Sequence, residues 1–237
     1  MKTQEKNFDG IKLSGFTAIL IMLALTGTAI YLLSLPQTPS IIAGVICGIC
    51  VVVMLPGFMI IQPNNSRVLT FFGRYAGTVI SNVFYWVNPV FLKSTVTLRI
   101  LNLNIDPIKV NDKVGNPIMI GAVVVWRIKD TYKASFDISG NIREFVQIQS
   151  DAALRQVAGM YAYDTNETID KVTLRSDESG EITQRLEDEL NSRLAIAGIE
   201  IVEARINYLA YASEIASVML RRQQADAIIS ARERIVE

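Results

Sequence analysis

The sequence predicts a membrane-anchored α+β protein: an N-terminal transmembrane helical hairpin, a mixed globular domain and the start of a long C-terminal helix. Three observations predict this order. Two long apolar runs without any charged residue lie within the first 61 residues. Strand patterns followed by helix patterns occupy the middle, which is typical of α+β folds and not of a parallel nucleotide-binding sheet. The last segment has helical periodicity and no stop signal.

The two apolar runs cover residues 16–35 and 41–61. As helices of about 20 residues, each is long enough to cross the roughly 30 Å hydrocarbon core of a bilayer. Pro36 and Pro39 lie in the short connection and favour a turn back at one membrane face. A cleaved signal peptide would not be followed by a second run, and core helices of a soluble fold would have a polar face. Close helix approach is expected at small residues, namely Gly27, Ala43, Gly44 and Gly48.

The positive charges around the runs predict the orientation. Lys2, Lys6 and Lys12 precede the first run, Arg67 and Arg74 follow the second, and the connection has no charge. Basic residues are enriched on the cytoplasmic side of membrane helices. Both termini and the globular domain are therefore expected on the cytoplasmic side.

The composition excludes several function classes. The 237 residues contain 23 Lys plus Arg and 23 Asp plus Glu, so the chain lacks the basic excess that nucleic-acid binding requires. It contains no histidine, which excludes His-dependent catalytic triads and His metal sites. Cys47 and Cys50 form a C-x-x-C inside the second apolar run, where unreactive thiols are expected, although the same spacing in a soluble protein would suggest a redox pair.

Strand patterns follow the anchor. Residues 67–72 are predicted to form one strand and residues 94–106 another. The apolar alternation of the second strand changes parity at Ile100 and Leu101, which predicts a bulge there. Residues 117–128 are apolar on both faces, so this strand should be central and covered.

Helical periodicity predicts helices over residues 142–158 and 181–197, the second ended by Gly198, and a returning strand over 199–206. Residues 213–237 are predicted to form the start of an oligomerisation arm. Its heptad-like positions are Ile215, Val218, Arg222, Ala225, Ile229 and Arg232.

An ordered series of short motifs resembles the SPFH domain, also called band 7, of stomatins, prohibitins, flotillins and bacterial HflK/HflC-type proteins. The motifs lie at residues 62–64, 67–75, 77–78, 83–91, 116–118, 122–128, 130–134, 153–157, 198–206 and 222–232. The predicted two-span anchor differs from the single span of HflK/HflC-type members, so the resemblance extends to the domain and its general role. The predicted division is residues 1–61 for the N-terminal segment and hairpin, 62–207 for the SPFH domain with subdomains at about 62–110 and 111–207, and 208–237 for the arm.

The resemblance implies a non-enzymatic scaffold that forms homo-oligomeric rings or cages on the bacterial inner membrane. Such an assembly organises a lipid microdomain and sequesters or regulates membrane clients, for example an AAA protease. The alternative is an accessory subunit of a transporter or channel complex, which the absence of ionisable residues in the spans disfavours.

A candidate membrane-interface site follows within this family reading. It comprises Val83, Phe84, Tyr85, Trp86 and Phe91. Three consecutive bulky aromatic residues cannot all face one core, and aromatic side chains are enriched at headgroup depth. The alternative is that they are ordinary core residues.

No catalytic, cofactor-binding or metal site is predicted. Gly73 and Gly77 lack the Lys-Ser/Thr that completes a phosphate loop. Asp164, Glu167 and Asp170 have the spacing of a carboxylate cluster, but we interpret them as solvated loop and helix-start residues.

Overall fold

The computed structural model describes residues 5–164, 172–176 and 180–236, with side chains in the last helix described at 213–221, 224, 225 and 228. The chain forms two compact units. The first contains the residues up to Arg99 together with Asp130–Ser135, and the second contains Ile100–Lys129 and the residues from Phe136 onward.

The elements begin with one short strand and two long helices, continue with five short strands and then reach the longer strands of the second unit. Up to Arg99 they are β1 (Lys12–Ser14), α1 (Gly15–Ser34), α2 (Thr38–Met54), β2 (Phe58–Ile60), β3 (Asn65–Phe71), β4 (Arg74–Val79), β5 (Phe84–Val87) and β6 (Leu92–Thr97). After it they are β7 (Leu101–Asn111), β8 (Pro117–Ile128), α3 (Thr131–Phe136), α4 (Ile142–Ala158), α5 (Glu181–Leu194), β9 (Ile199–Tyr211) and α6 (Ser213–Val236).

Helices α1 and α2 pack along each other and leave most of their apolar surface uncovered. The buried residues of α1 are Gly15, Ala18 and Ala29, and that of α2 is Gly44. A Cβ on Gly44 would lie 2.8 Å from Leu33 Cγ, whereas one on Gly27 or Gly48 would meet nothing within 4 Å. The close approach expected at small residues is therefore found at Gly44.

The second apolar run is not helical to its end, contrary to the sequence prediction. α2 ends at Met54, the 3-10 turn Leu55–Gly57 follows, and residues 58–60 form β2. Pro56 cannot donate a helical hydrogen bond, so it ends the helix instead of kinking it. The last apolar residues of the run belong to a sheet.

That sheet, here called the base sheet, has the order β1-β5-β2. β5 is central and antiparallel to both neighbours, with Trp86 opposite Leu13 on one side and opposite Phe58 on the other. β1 leads directly into α1, and β2 follows the turn that ends α2. β5 thus pairs both with the strand that precedes α1 and with the strand that follows α2.

A second sheet in the first unit has the order β4-β3-β6. Phe72 and Gly73, both with positive φ, form the two-residue turn between β3 and β4. The strand predicted over residues 67–72 is confirmed. The single strand predicted over 94–106 is wrong, because β6 ends at Thr97 and β7 starts at Leu101 in another sheet. The parity change marks that break, not a bulge.

The two sheets of the first unit share one core. It consists of Phe8, Met59, Ile61, Leu69, Val79 and Val87, with Ala76, Tyr85 and Phe91 packed against it. Phe8 comes from the segment before β1, which runs beside β4: Phe8 N donates to Thr78 O at 3.0 Å, and Thr78 N donates to Lys6 O at 2.9 Å. The described residues that precede β1 therefore pack as part of the first unit.

The second unit is a three-stranded sheet, β7-β8-β9, with α4 and α5 packed on it. The central strand β8 has the predicted bounds, and one of its faces is buried throughout: Ile118, Ile120, Ala122, Val124, Trp126 and Ile128. The bulge on β7 lies between Ile105 and Ile108. The predicted helix over 142–158 is confirmed, and Gly198 has the left-handed conformation expected of it (φ 68°).

Candidate membrane-interface site

The three aromatic residues of β5 alternate between two environments because successive side chains of a strand point to opposite faces. Tyr85 packs against the core of the first unit, as does the next residue on its face, Val87. Phe84 and Trp86 lie on the other face, where they meet the ends of the two apolar helices. The expectation that the three do not share one core is met by this alternation.

Phe84 contacts the start of α1. Its ring stacks on Phe58 at 5.6 Å between centroids and meets Phe16 edge-on at 5.7 Å. A Cβ on Gly15, the first residue of α1, would collide with the Phe84 ring. The absence of a side chain at Gly15 therefore lets the strand approach the helix.

Trp86 contacts the end of α2. Its Nε1 donates a hydrogen bond of 2.9 Å to Met54 O, one of the carbonyls that a helix leaves without an intrahelical partner. A Cβ on Gly57 would collide with the indole and lie 2.7 Å from Val87 O. The Pro56-Gly57 turn thus brings the chain close under β5.

β5 therefore reaches from the beginning of α1 to the end of α2. Because β1 and β2 both pair with it, the segments before and after the helix pair are fixed at the same end of that pair. If the helices lie in a bilayer, the base sheet lies at one membrane surface, and the rings of Phe84 and Trp86 lie at the boundary.

Two lysines lie near the start of α1 and the end of α2. Lys12 is exposed on β1, directly before α1. Lys93 Nζ donates to Pro56 O in the turn after α2, where the negative end of the helix dipole favours a cation. Partial burial, and secondly the charge of Arg67, lower the pKa of the Lys93 ammonium from its ordinary value.

The other two residues of the predicted interface site differ in placement. Val83 is exposed and precedes β5. Phe91 packs edge-on against Phe8 at 5.3 Å and also meets Phe71 at 5.3 Å, at the border of the core. β5 and its surroundings thus bring Phe84 and Trp86 together, while Phe91 lies with the core aromatics.

The residues of the predicted arm lie on α6. Val218 and Ala225 are exposed and Ile215 is half-buried. The side chains of Arg222, Ile229 and Arg232 lie outside those described. At its start α6 is held by an ion pair between Lys109 on β7 and Glu214.

Of the candidate carboxylate cluster, the structure describes only Asp164. Asp164 pairs with Arg175 at 2.8 Å, and Glu167 and Asp170 lie outside the described residues. Among the residues that the structure describes, no cluster of Cys, Asp or Glu has the arrangement of a metal site. Cys47 and Cys50 are free thiols on α2.

Sequence reasoning missed three contributors to this region: Phe8, Gly57 and Phe58. Pro56-Gly57 is a turn signal inside the second apolar run and could have ended the predicted helix there. Phe8 has no such signal, since a single aromatic residue in a polar segment has no periodicity.

Residues 59–237 match the sequence model of the SPFH domain / Band 7 family. The chain belongs to this family. The match begins within β2, so the base sheet overlaps the start of the family domain. A comparison with curated proteins finds no match.

Proposed function

We propose that this protein is a membrane-anchored scaffold whose copies assemble into rings or cages and organise a patch of the membrane. Family membership supports the general role, because SPFH proteins are associated with membrane scaffolding and are generally not enzymes. The observation that carries the proposal is the pairing of β5 with both β1 and β2, which ties the family domain to the base of the apolar helix pair.

Anchorage by α1 and α2 is supported by their surface. α1, and α2 together with the turn to Gly57, are each long and apolar enough to cross a membrane, and side chains such as Leu20, Leu23 and Ile30 are more than half exposed. Polar side chains on α1 bond to its own backbone, as lipid requires. Thr26 Oγ1 donates to Met22 O at 2.7 Å and Thr28 Oγ1 to Ala24 O at 2.9 Å.

A common orientation of many copies follows from this anchor. Both segments that flank the helix pair belong to the first unit, so each copy would present its domain on one membrane face. We propose the cytoplasmic face of the bacterial inner membrane, on the positive-inside argument. Protease treatment of intact spheroplasts should then leave the domain uncut.

The interface role of Val83, Phe84, Tyr85, Trp86 and Phe91 is part of the proposal, and the structure supports it most strongly for Phe84 and Trp86. The ring of Trp86 has an apolar body and a polar edge, which suits headgroup depth. For assembly, we propose that α6 begins an arm that packs against neighbouring copies. The enclosed membrane patch would hold selected lipids and clients, for example a membrane-bound AAA protease.

The test is the size and form of the assembly. The full chain, extracted in mild detergent, should elute as a large homo-oligomer and give ring-shaped or cage-shaped particles in projection images. The same chain should float with lipid vesicles in a density gradient. A monomer, or a small defined complex with other subunits, would contradict the scaffold and favour the transporter-subunit alternative.

A further inference from the structure

A cleft of about 600 Å³ opens in the first unit beside the base sheet. One wall is polar and is formed by Asn65 and Arg67 of β3 and by Lys93 and Thr95 of β6. The volume falls in the range of small-ligand sites, roughly 300–1,000 Å³. Among the described residues that line the cleft, none is acidic.

The strand register places the two cations next to each other. Arg67 lies opposite Thr95, and Lys93 lies opposite Leu69. Arg67 and Lys93 are therefore diagonal neighbours on the same face, within reach of one ligand group. Neither forms an ion pair with any residue that the structure describes.

Both cations have donors to spare. Arg67 donates from one guanidinium nitrogen to Thr95 Oγ1, and Lys93 donates to Pro56 O. A guanidinium has five N–H donors and an ammonium three. The protein bonds described therefore leave several charge-bearing donors on two residues that line the cleft.

Two neighbouring cations repel each other, and partial burial makes the charge of Lys93 less favourable still. This is the physical origin of its lowered pKa, to which burial contributes most and Arg67 second. An anion between the two side chains would offset both effects, because its charge attracts both cations. The wall is thus better matched to an anionic ligand than to water alone.

The opposite wall is apolar and comes from the base sheet: Phe58, Ile60 and Phe84 line it. Phe58 and Phe84 are the stacked pair that contacts the start of α1. The cleft therefore combines two cations with an apolar surface at the end of the helix pair. This combination suits an amphipathic anion better than a free inorganic ion.

We propose that this cleft binds the phosphate of an anionic phospholipid headgroup, with Arg67 and Lys93 as its donors and the base sheet against its apolar part. The inference rests on the proposed membrane anchorage, which would place the cleft at headgroup depth. It assigns a lipid preference to the individual subunit, independent of assembly.

The experiment measures binding of phosphatidylglycerol to the detergent-solubilised full chain by native mass spectrometry, with phosphatidylcholine as the reference lipid. The structure predicts tighter binding of phosphatidylglycerol. Arg67→Gln and Lys93→Gln should each weaken that binding by about tenfold, the effect of losing one charge-assisted hydrogen bond. Arg74→Gln removes an exposed cation on β4 outside the cleft and should leave it unchanged.

Further arms separate the alternatives. Arg67→Lys, which preserves the charge, should retain more binding than Arg67→Gln, and thermal unfolding of each variant checks its fold. Soluble glycerol phosphate should fail to displace the lipid because it lacks the apolar part, and displacement would overturn the lipid assignment. If Arg67→Gln and Arg74→Gln weaken phosphatidylglycerol binding equally, general surface charge attracts the lipid. That result would overturn the proposal of binding in the cleft. If the wild-type chain floats with vesicles and assembles but shows no preference, the cleft inference alone fails; if it does not float, both proposals fail.

Discussion

The helix pair α1/α2 and the helix pair α4/α5 bury opposite kinds of side chain. α5 buries Ile182, Leu186, Leu190 and Leu194 at intervals of four residues and keeps Glu181, Arg185 and Asp188 exposed. The buried residues of α1 are small, Gly15, Ala18 and Ala29, whereas large side chains such as Leu20, Leu23 and Ile30 are exposed. Removing a large apolar side chain from water is worth roughly 1.5–3 kcal/mol, so the exposed surface of α1 favours the non-aqueous environment that the proposed membrane anchorage would provide.

The two helix pairs thus differ in where their large apolar side chains lie: within a core for α4 and α5, and on the surface for α1 and α2. α4 and α5 obtain their stability from the sheet of the second unit. α1 and α2 approach each other closely at Gly44 and leave most of their apolar surface uncovered, as the proposed membrane anchorage would require. The predictions below test the two halves of this contrast.

The largest effect is expected in the second unit. Leu190 is fully buried on α5, so Leu190→Ala should lower the free energy of unfolding by about 2–5 kcal/mol, from lost apolar contact and the cavity left behind. Ile148→Ala on α4, at a side chain that is 56% exposed, is the matched control and should change it little. Urea unfolding in detergent measures both, and equal effects would contradict the assigned burial.

A charged residue introduced into α2 should reduce membrane insertion. Ile46 is exposed near the middle of α2, and Ile46→Arg should cost about 3 kcal/mol in the bilayer. The variant should shift from the membrane fraction to aggregates or the soluble fraction, whereas Ile46→Leu should not. Normal membrane insertion of Ile46→Arg would mean that α2 faces water or a protein surface.

The contact between α1 and α2 should be sensitive at one glycine. Gly44→Ala places a Cβ against Leu33 and Ala29 and should weaken the helix pair by about 1 kcal/mol through overpacking. Gly48→Ala, four residues away, meets nothing within 4 Å and should be neutral. The two variants are compared by thermal unfolding in detergent, and an equal response would exclude the close approach at Gly44.

The smallest effect concerns the surface of the second unit. Hydrogen bonds from Lys129 and Arg127 lower the pKa of Glu200 below its ordinary value. A lowered carboxyl pKa stabilises the fold above the unfolded-state pKa, and this contribution is lost as pH falls through the folded-state pKa. Since the pair is solvent-exposed, Glu200→Gln should cost only about 0.5 kcal/mol at neutral pH and nothing in acid. A loss that persists in acid would contradict an ionic origin.

Much of the fold could be predicted because its patterns are local. β8 and α4 have the predicted bounds, since each is a long periodic segment with turn or cap residues at its ends. The break between β6 and β7 was misread because the parity change alone does not distinguish a bulge from a change of sheet. The base sheet could not be predicted, since it pairs Lys12–Ser14 and Phe58–Ile60 with a strand distant from both in sequence.

The candidate site was predictable in composition but not in geometry. The aromatic run of β5 indicated an interface, yet its contacts depend on Gly15 and Gly57, whose missing side chains admit Phe84 and Trp86. The cationic wall of the cleft could not be predicted from the sequence either, because Arg67 and Lys93 become neighbours only through the pairing register of β3 and β6.

The central claim is that the base sheet lies at the membrane surface, and Trp86 can report it directly. The chain has two tryptophans, and Trp126→Phe leaves Trp86 as the only one. Trp126 Nε1 has no hydrogen-bond partner among the residues described, so the replacement removes no such bond there.

The measurement is quenching of Trp86 fluorescence in vesicles of brominated lipids. Bromines near the glycerol end of the acyl chain should quench Trp86 strongly and bromines near the bilayer centre weakly, while Trp86→Phe, which leaves the buried Trp126, should show no quenching. Absence of quenching at every bromine depth for Trp86 would contradict the account.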